Sequence, residues 1–250
     1  MIKRNIPNFL TLCNLLCGCV AIVYAFKGNL IFSAYLVGIA GVFDFMDGMA
    51  ARILKAYSEI GKQLDSLADM VSFGVLPGAV MFNMIQHAVN LTSAEHTIST
   101  NPLLLLPYSG FLITVFSAIR LAKFNIDTRQ TDSFIGLPTP ANTFFIVSIP
   151  LIVHFNSFGE SFDRIILNPY FLISLSLISS FLLVAPVPLF ALKFKNFTWA
   201  DNKVRFIFLA LALILLIVFR FAGIPLIIIL YISLSVINNL ISKKIPANYE

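Results

Sequence analysis

Long runs of apolar residues, separated by short polar segments, follow one another along the chain. A helix that crosses a bilayer needs about 20 mostly apolar residues, and eight runs come close to that length. The fifth run is short and flanked by proline, so it fits least well. The pattern predicts an all-α, polytopic membrane helix bundle with about eight transmembrane helices. These lie near residues 8–26, 29–51, 68–91, 102–122, 139–156, 169–192, 204–221 and 223–241.

The composition supports a membrane protein. Of the 250 residues, 58% are hydrophobic and 12% are charged, whereas soluble proteins carry roughly 25% charged residues. The mean hydropathy is +0.90. These values exclude a soluble enzyme, a disordered chain and a disulfide-stapled secreted domain. Cys13, Cys17 and Cys19 all lie in the first run, where they either pack between helices or share a helix face that binds a metal or redox partner.

The basic residues predict the orientation. If the N-terminus is cytoplasmic and eight spans alternate, only three of the 17 Lys and Arg residues fall outside. Because cytoplasmic loops are enriched in Lys and Arg, both termini are expected in the cytoplasm. The three histidines then lie on the outer side, away from cytoplasmic chemistry. They are His87, His96 and His154.

Five of the 12 acidic residues lie between positions 44 and 69, and four of the five are aspartates. Asp44 and Asp47 follow an uncharged apolar run, so they belong to the cytoplasmic third of a membrane helix, where carboxylates are costly and usually functional. Asp44 and Asp47 are three residues apart, and Gly61, Asp65 and Asp69 follow at intervals of four. Each set therefore shares one helix face, and packing of the two faces would bring four carboxylates together.

Four neighbouring carboxylates repel one another unless cations or protons neutralise them. Oxygen-only ligands suit hard divalent ions such as Mg²⁺ or Mn²⁺, and two such ions can clamp a diphosphate. Gly48 and Gly61 would let a bulky ligand approach the backbone. Two alternatives stay open: the aspartates are neutralised by nearby basic residues, or they line the ion path of a cation transporter. The nearby basic residues are Arg52, Lys55 and Lys62.

The segment from Asp44 to Asp69 reads D-x-x-D-G-x-x-A-R-x8-G-x-x-x-D-x-x-x-D. This string resembles the motif of the CDP-alcohol phosphatidyltransferase family at every fixed position. The resemblance implies transfer of a phosphatidyl group from CDP-diacylglycerol to an alcohol, with release of CMP. It implies that the four aspartates bind two metal ions, either Mg²⁺ or Mn²⁺, and that Asp69 is also the general base. It assigns the nucleotide and phosphate site to Gly48, Ala51, Arg52 and Gly61.

Three further segments resemble the membrane-embedded phosphatidylserine synthase branch of the family, which uses L-serine as the alcohol. They are residues 6–11, 117–125 and 136–142. Arg120 and Lys123 are three residues apart at the cytoplasmic end of a span, and a guanidinium can hold a carboxylate through two hydrogen bonds. We therefore expect both to bind serine, Arg120 first. Both could instead be topology-setting charges near lipid phosphates, and glycerol 3-phosphate or another small alcohol is the alternative acceptor.

Two smaller features allow two interpretations each. Asn8 and Thr11 lie one turn apart and are predicted to contact CDP-diacylglycerol through its cytosine, although Asn8 could equally cap a helix after Pro7. Pro138 and Pro140 either border the substrate pocket or form a turn. The resemblance also implies a homodimer. We expect one integral-membrane domain in the cytoplasmic membrane of a prokaryote, in which residues 1–156 are catalytic and residues 157–250 add further helices.

Overall fold

The fold was analysed in a computed structural model that describes residues 2–93, 102–126, 133–155, 158–190 and 198–244. Ten α-helices account for most of these residues. They are α1 (Ile2–Phe26), α2 (Leu30–Ile53), α3 (Glu59–Asp69), α4 (Leu76–Ser93), α5 (Leu112–Ile126), α6 (Thr139–His154), α7 (Glu160–Ile166), α8 (Pro169–Val184), α9 (Trp199–Phe219) and α10 (Gly223–Lys244). The expectation of an all-α fold is confirmed.

Three short helical segments and two short strands complete the described chain. A π-helical turn (Met70–Val75) joins α3 to α4, and 3₁₀ turns precede α5 (Pro102–Phe111) and α10 (Arg220–Ala222). Strand β1 (Ser133–Ile135) pairs antiparallel with β2 (Pro188–Phe190). This pair ties the segment before α6 to the segment after α8.

Helix α4 lies at the centre of the bundle. The most apolar stretch of the α3–α4 segment is 67% buried, against 17% to 33% in the other long apolar segments. Leu76, Met81 and Ile85 are fully buried and pack with residues of α1, α2, α5, α6 and α8. Around this core, apolar side chains such as Phe45, 72% exposed, face outward, as expected where the solvent is lipid.

Five segments of the described chain are long and apolar enough to span a bilayer. One of them, Asn202–Ile241, has 40 residues, about 60 Å of helix, and it is broken at Arg220, whose φ is 50°. It therefore folds back as the α9–α10 hairpin. Helices α6 and α8 are apolar but have only 16 residues each. Each of the eight predicted runs contains a helix, but the helix of the sixth run, near 169–192, ends at Val184 and is followed by β2. The number of crossings and the orientation stay predictions.

The π-helical turn after α3 is held by hydroxyl groups from neighbouring helices. Thr143 of α6 donates to the Phe73 carbonyl oxygen at 2.8 Å, and Thr114 of α5 donates to the Gly74 carbonyl oxygen at 3.0 Å. π-helical turns leave the ordinary i to i−4 ladder and are frequent at functional sites. This turn begins directly after Asp69.

Candidate active site

The aspartate cluster is formed by α2 and α3. Carboxylate oxygens of Asp44, Asp47 and Asp65 all lie within 4.8 Å of one another. Ser58 begins α3 by accepting the Gly61 N–H at 3.1 Å, which sets the start of the helix that carries Asp65. The two helix faces predicted from the spacing do meet.

Asp69 adjoins this group at the end of α3. Its carboxyl group lies within hydrogen-bonding reach of that of Asp44. Its Oδ1 atom is buried without a hydrogen-bond partner, although buried polar atoms are normally paired. Asp69 therefore presents a free oxygen beside three other carboxylates.

The donor set fits a hard divalent cation. It consists of carboxylate oxygens alone, the ligands that Mg²⁺ and Mn²⁺ prefer, and the unpartnered oxygen of Asp69 adds a further ligand atom at its edge. Like charges at such distances are stable only when protons or cations neutralise them. The identity and number of the ions stay predictions.

Helix α1 supports the cluster from a third side. The Thr11 hydroxyl donates to Oδ2 of Asp47 at 2.6 Å, and its oxygen also lies 3.1 Å from the Pro7 carbonyl oxygen. Thr11 is 3% exposed and Asp47 is 6% exposed. This hydrogen bond fixes the orientation of the Asp47 carboxylate.

A cavity of about 250 Å³ opens beside the cluster, between α1, α2 and the start of α3. It is lined by all six residues that were predicted to bind CDP-diacylglycerol, and also by Asp47, Asp65 and Lys62. The six are Asn8, Thr11, Gly48, Ala51, Arg52 and Gly61. Their contact with a nucleotide stays a prediction.

The two glycines of the cavity differ in their surroundings. A Cβ atom on Gly61 would lie 2.9 Å from Oδ1 of Asn8 and 2.9 Å from Oγ of Ser58. A Cβ atom on Gly48 would meet no protein atom within 4 Å. Gly61 therefore permits close packing of α3 on α1, whereas Gly48 leaves free space on the cavity wall.

Asn8 does not cap a helix. Helix α1 begins at Ile2 and continues through Pro7, so the capping interpretation of Asn8 is wrong. Pro138 and Pro140 lie at the start of α6, which begins at Thr139 with Pro138 at its N-cap. Proline is well suited to the first turn of a helix, where N–H groups lack intrahelical acceptors.

The two cations predicted to bind serine have different environments. Arg120 is 7% exposed and lies over the Phe124 ring at 5.2 Å. It interacts electrostatically with Asp69 and with Tyr231 of α10. Lys123 is exposed near the end of α5. Arg120 therefore belongs to the surroundings of the aspartate cluster, and both serine assignments stay predictions.

The described histidines lie at the opposite end of the bundle. His87 and His154 line a cavity of about 570 Å³ together with Lys27 of the α1–α2 turn. Their position on the outer side of the membrane stays a prediction, and His96 lies outside the described residues. Cys13, Cys17 and Cys19 are free thiols. They belong to no potential metal-binding group among the residues that the structure describes.

Several residues around the site were not predicted. Tyr57 and Ser58 line the cavity, and Asn125 joins α5 to α3 by donating to Oγ of Ser66 at 2.9 Å. Tyr231 donates to the Phe190 carbonyl oxygen at 2.8 Å. Tyr57 and Ser58 lie within the 44–69 motif and Asn125 ends the 117–125 segment, so their positions could have indicated them, but Tyr231 carries no such signal.

Comparison with known proteins identifies relatives of the chain. It is 39% identical over 140 residues to a CDP-diacylglycerol–serine O-phosphatidyltransferase of Bacillus subtilis, covering 54% of this chain and 69% of that protein. A protein of the same name from Helicobacter pylori is 33% identical over 148 residues, which are 58% of this chain and 57% of that protein. Another from Methanocaldococcus jannaschii is 30% identical over 150 residues, which are 60% of this chain and 62% of that protein. The chain thus spans less than two thirds of the length of the latter two.

These names support the predicted transferase and its serine acceptor, and they favour a transferase over a cation path. The family model described as CDP-alcohol phosphatidyltransferase matches residues 4–175. This range includes all four aspartates, every residue predicted to bind CDP-diacylglycerol, and both predicted serine ligands. The chain therefore belongs to the CDP-alcohol phosphatidyltransferase family.

Proposed function

We propose that the chain transfers a phosphatidyl group from CDP-diacylglycerol to the hydroxyl of L-serine, giving phosphatidylserine and CMP. The observation that carries this proposal is the aspartate cluster at the edge of a cavity lined by the six predicted CDP-diacylglycerol ligands. The names of the relatives support serine as the acceptor.

All four aspartates act on the metal ions, and Asp69 also acts as the base. They would hold two Mg²⁺ or Mn²⁺ ions, which neutralise the charge of the diphosphate when bound. The four are Asp44, Asp47, Asp65 and Asp69. The serine oxygen attacks the phosphorus that bears the diacylglycerol, and the bond from that phosphorus to the CMP oxygen breaks. The serine hydroxyl proton passes to Asp69, a carboxylate that is close to the cluster yet has an unpartnered oxygen.

The cavity would hold the nucleotide end of the donor. Thr11 and Asn8 of α1 border it on one side, and Gly48, Ala51 and Arg52 of α2 on the other. The Arg52 guanidinium suits a phosphate, and Asn8 can pair with a base edge because it carries both donor and acceptor groups. The lipid tails can remain in the bilayer during the reaction.

The test of this proposal measures CMP release by the purified chain in detergent, with CDP-diacylglycerol and either L-serine or glycerol 3-phosphate. We expect release that requires serine and a divalent cation and that EDTA abolishes. Release with glycerol 3-phosphate alone would retain the reaction type and overturn the acceptor. Folded protein that releases no CMP with any alcohol would overturn the transferase itself.

Gly48→Ala tests whether a substrate occupies the cavity. The new methyl group meets no protein atom, so we expect the fold to be kept, with a gain of about 0.5–1 kcal/mol from the better helix former. Crowding of the substrate should raise the KM for CDP-diacylglycerol about tenfold, since an extra methylene in a filled site costs about 1–3 kcal/mol. Steady-state kinetics and thermal unfolding measure both effects.

Gly38→Ala is the matched control for this substitution. Gly38 is also in α2, and a Cβ atom there likewise meets nothing within 4 Å, but it does not line the cavity. It should show the same stabilisation with an unchanged KM. Equal kinetics for the two variants would remove the cavity from the substrate site.

Arg120→Ala tests the acceptor side. Loss of a charged hydrogen bond to the serine carboxylate, about 1.5–3 kcal/mol, should raise the KM for serine about 10- to 100-fold. The KM for CDP-diacylglycerol should change little. Lys123→Ala, which removes an exposed cation, should have the smaller effect. An equal rise in both KM values of Arg120→Ala would contradict a carboxylate contact.

We further propose that the chain lies in the cytoplasmic membrane of a prokaryote, with the site at the cytoplasmic face and both termini inside. The uneven distribution of Lys and Arg and the bacterial and archaeal relatives support this. By family analogy it forms a homodimer. Thiol labelling of Lys55→Cys only after permeabilisation of cells, and of Lys27→Cys in intact cells, would test the orientation.

A further inference from the structure

Buried polar atoms without a hydrogen-bond partner gather around the π-helical turn that follows Asp69. Besides Oδ1 of Asp69, they include Oγ of Ser117, Oγ1 of Thr139 and Nδ2 of Asn142. Ser117 and Thr139 are completely buried and Asn142 is 1% exposed. Since such atoms are normally paired, they are candidate contacts for a ligand.

Hydrogen bonds between helices place Arg120 at the level of Asp69. Asn125 of α5 contacts Ser66 of α3, and further along, Thr114 of α5 contacts the carbonyl of Gly74. Arg120 lies between Asn125 and Thr114 on α5, and Asp69 lies between Ser66 and Gly74 on the opposite segment. The two charged residues therefore lie side by side, in agreement with their electrostatic interaction.

Thr139 reaches the same level from α6. This helix runs parallel to α4, because the ends of both helices, with His87 and His154, line one cavity. Thr143 contacts the carbonyl of Phe73. Thr139 lies one helical turn before Thr143, and Asp69 lies about one turn before Phe73. Because Thr143 contacts Phe73 and the two helices are parallel, Thr139 lies at the level of Asp69.

The first turn of α6 offers donors to a ligand. Thr139 is its first residue, and no side chain caps the helix at Pro138. Helix N-termini favour anions through their free N–H groups and dipole. The oxygen Oδ1 of Asn142 already accepts from the Ser179 hydroxyl, so its amide nitrogen is left as a second donor on the same face.

We infer that Thr139 and Asn142, with the N-terminal turn of α6, form the part of the acceptor site that binds the carboxylate of a small hydroxy amino acid, opposite Asp69 and beside Arg120. This inference rests on the proposed function. Donors and positive charge lie on the α5 and α6 sides, and the carboxylates lie on the α2 and α3 sides. A molecule with a carboxylate at one end and a reacting hydroxyl at the other matches this distribution of charge.

Thr139→Val is the direct test, because it removes the hydroxyl and keeps the shape. We expect kcat/KM for L-serine to fall on the order of tenfold, with an unchanged KM for CDP-diacylglycerol. Turnover with ethanolamine, which is serine without its carboxylate, should not change. The Tm should stay equal or rise, because an unpartnered buried hydroxyl is removed.

Two further variants sharpen this experiment. Thr139→Ser keeps the hydroxyl and should retain the wild-type kinetics with serine. Ser148→Ala removes another buried hydroxyl of α6, one that donates to Phe145 within its own helix at 2.7 Å, and should leave kcat/KM for serine unchanged.

The contrary outcomes are distinct. An unchanged kcat/KM for serine in Thr139→Val, or an equal loss with serine and ethanolamine, would overturn the carboxylate contact. A lower Tm would show that the Thr139 hydroxyl has a partner within the protein, which would overturn it as well. If the wild-type protein does not use serine, the proposed function itself is wrong. That failure is seen before any variant is measured, so it is distinct from failure of the carboxylate contact.

Discussion

Replacing Asp69 by Asn should lower kcat by about 10²–10⁴-fold, the usual contribution of a general base, while the protein stays folded. Asparagine has nearly the same shape but cannot take the proton of the attacking hydroxyl. Neither KM should change by a comparable factor, because both substrates keep their other contacts. CMP release at saturating serine and CDP-diacylglycerol measures the effect.

The stability of this variant separates a lost base from a damaged fold. Asp69 is close to the carboxyl group of Asp44, and a neutral amide removes repulsion between them. We therefore expect the Tm of the metal-free variant to be no lower than that of the wild type. A variant that retains most of its turnover would make the base assignment wrong.

The Asp69→Asn variant also distinguishes the two roles proposed for Asp69, general base and metal ligand. If Asp69 is mainly the base, Mn²⁺ should still raise the Tm of Asp69→Asn, because the carboxylates of Asp44, Asp47 and Asp65 remain close together. If it is an essential metal ligand, this rise should disappear along with turnover.

The spacing of the aspartates predicted the cluster because each step of that prediction depends only on residues close together in sequence. Asp44 and Asp47 share a face of α2, and Asp65 and Asp69 share a face of α3, whatever the rest of the chain does. Only five residues separate these two helices, so the faces have few ways to meet. The convergence of the carboxylates and the common cavity of the motif residues agree with this reasoning.

The π-helical turn was beyond such reasoning. Its carbonyl groups are held by Thr114 and Thr143, which lie 40 and 70 residues along the chain from the groups they bind. Nothing in the segment Met70–Val75 itself distinguishes it from an ordinary apolar helix. The acceptor side of the site depends on these contacts, so its geometry could not be predicted from spacing.

Pro7 led to the error at Asn8. Proline is disfavoured inside a helix, so a helix beginning after Pro7 made Asn8 a candidate cap, yet α1 starts at Ile2 and continues through Pro7. The last two helices raise a related difficulty. Their apolar runs were correctly predicted as helices, but the approach of Tyr231 to Arg120 depends on packing between distant parts of the chain.

Replacing Asp65 by Asn should abolish turnover and also remove most of the stability that the protein gains from a bound metal ion. In the wild type, a cation that binds only the folded cluster raises stability by about 2.7 kcal/mol at a concentration 100 times its dissociation constant. Loss of one of three converging carboxylates should remove most of this gain. Thermal unfolding with EDTA, Mg²⁺ and Mn²⁺ measures it.

Without metal, the order of stability should be the opposite. The wild type then holds three carboxylates within 4.8 Å, and Asp65→Asn removes one of the repelling charges. The variant should therefore have the higher Tm in EDTA and the lower Tm in saturating Mn²⁺. A substitution that merely damaged packing would lower the Tm under both conditions.

Asp163→Asn is the matched control for this reversal in the order of the variant and wild-type Tm values. Asp163 lies in α7, outside the cluster, and its Oδ1 is also buried without a hydrogen-bond partner. The control should show the wild-type rise in Tm with Mn²⁺ and wild-type turnover. If Asp65→Asn responded to Mn²⁺ as the control does, the carboxylates would not be the metal ligands. The proposed role of Asp44, Asp47 and Asp65 in holding the diphosphate would then fail, because only a bound cation lets these anions approach another anion.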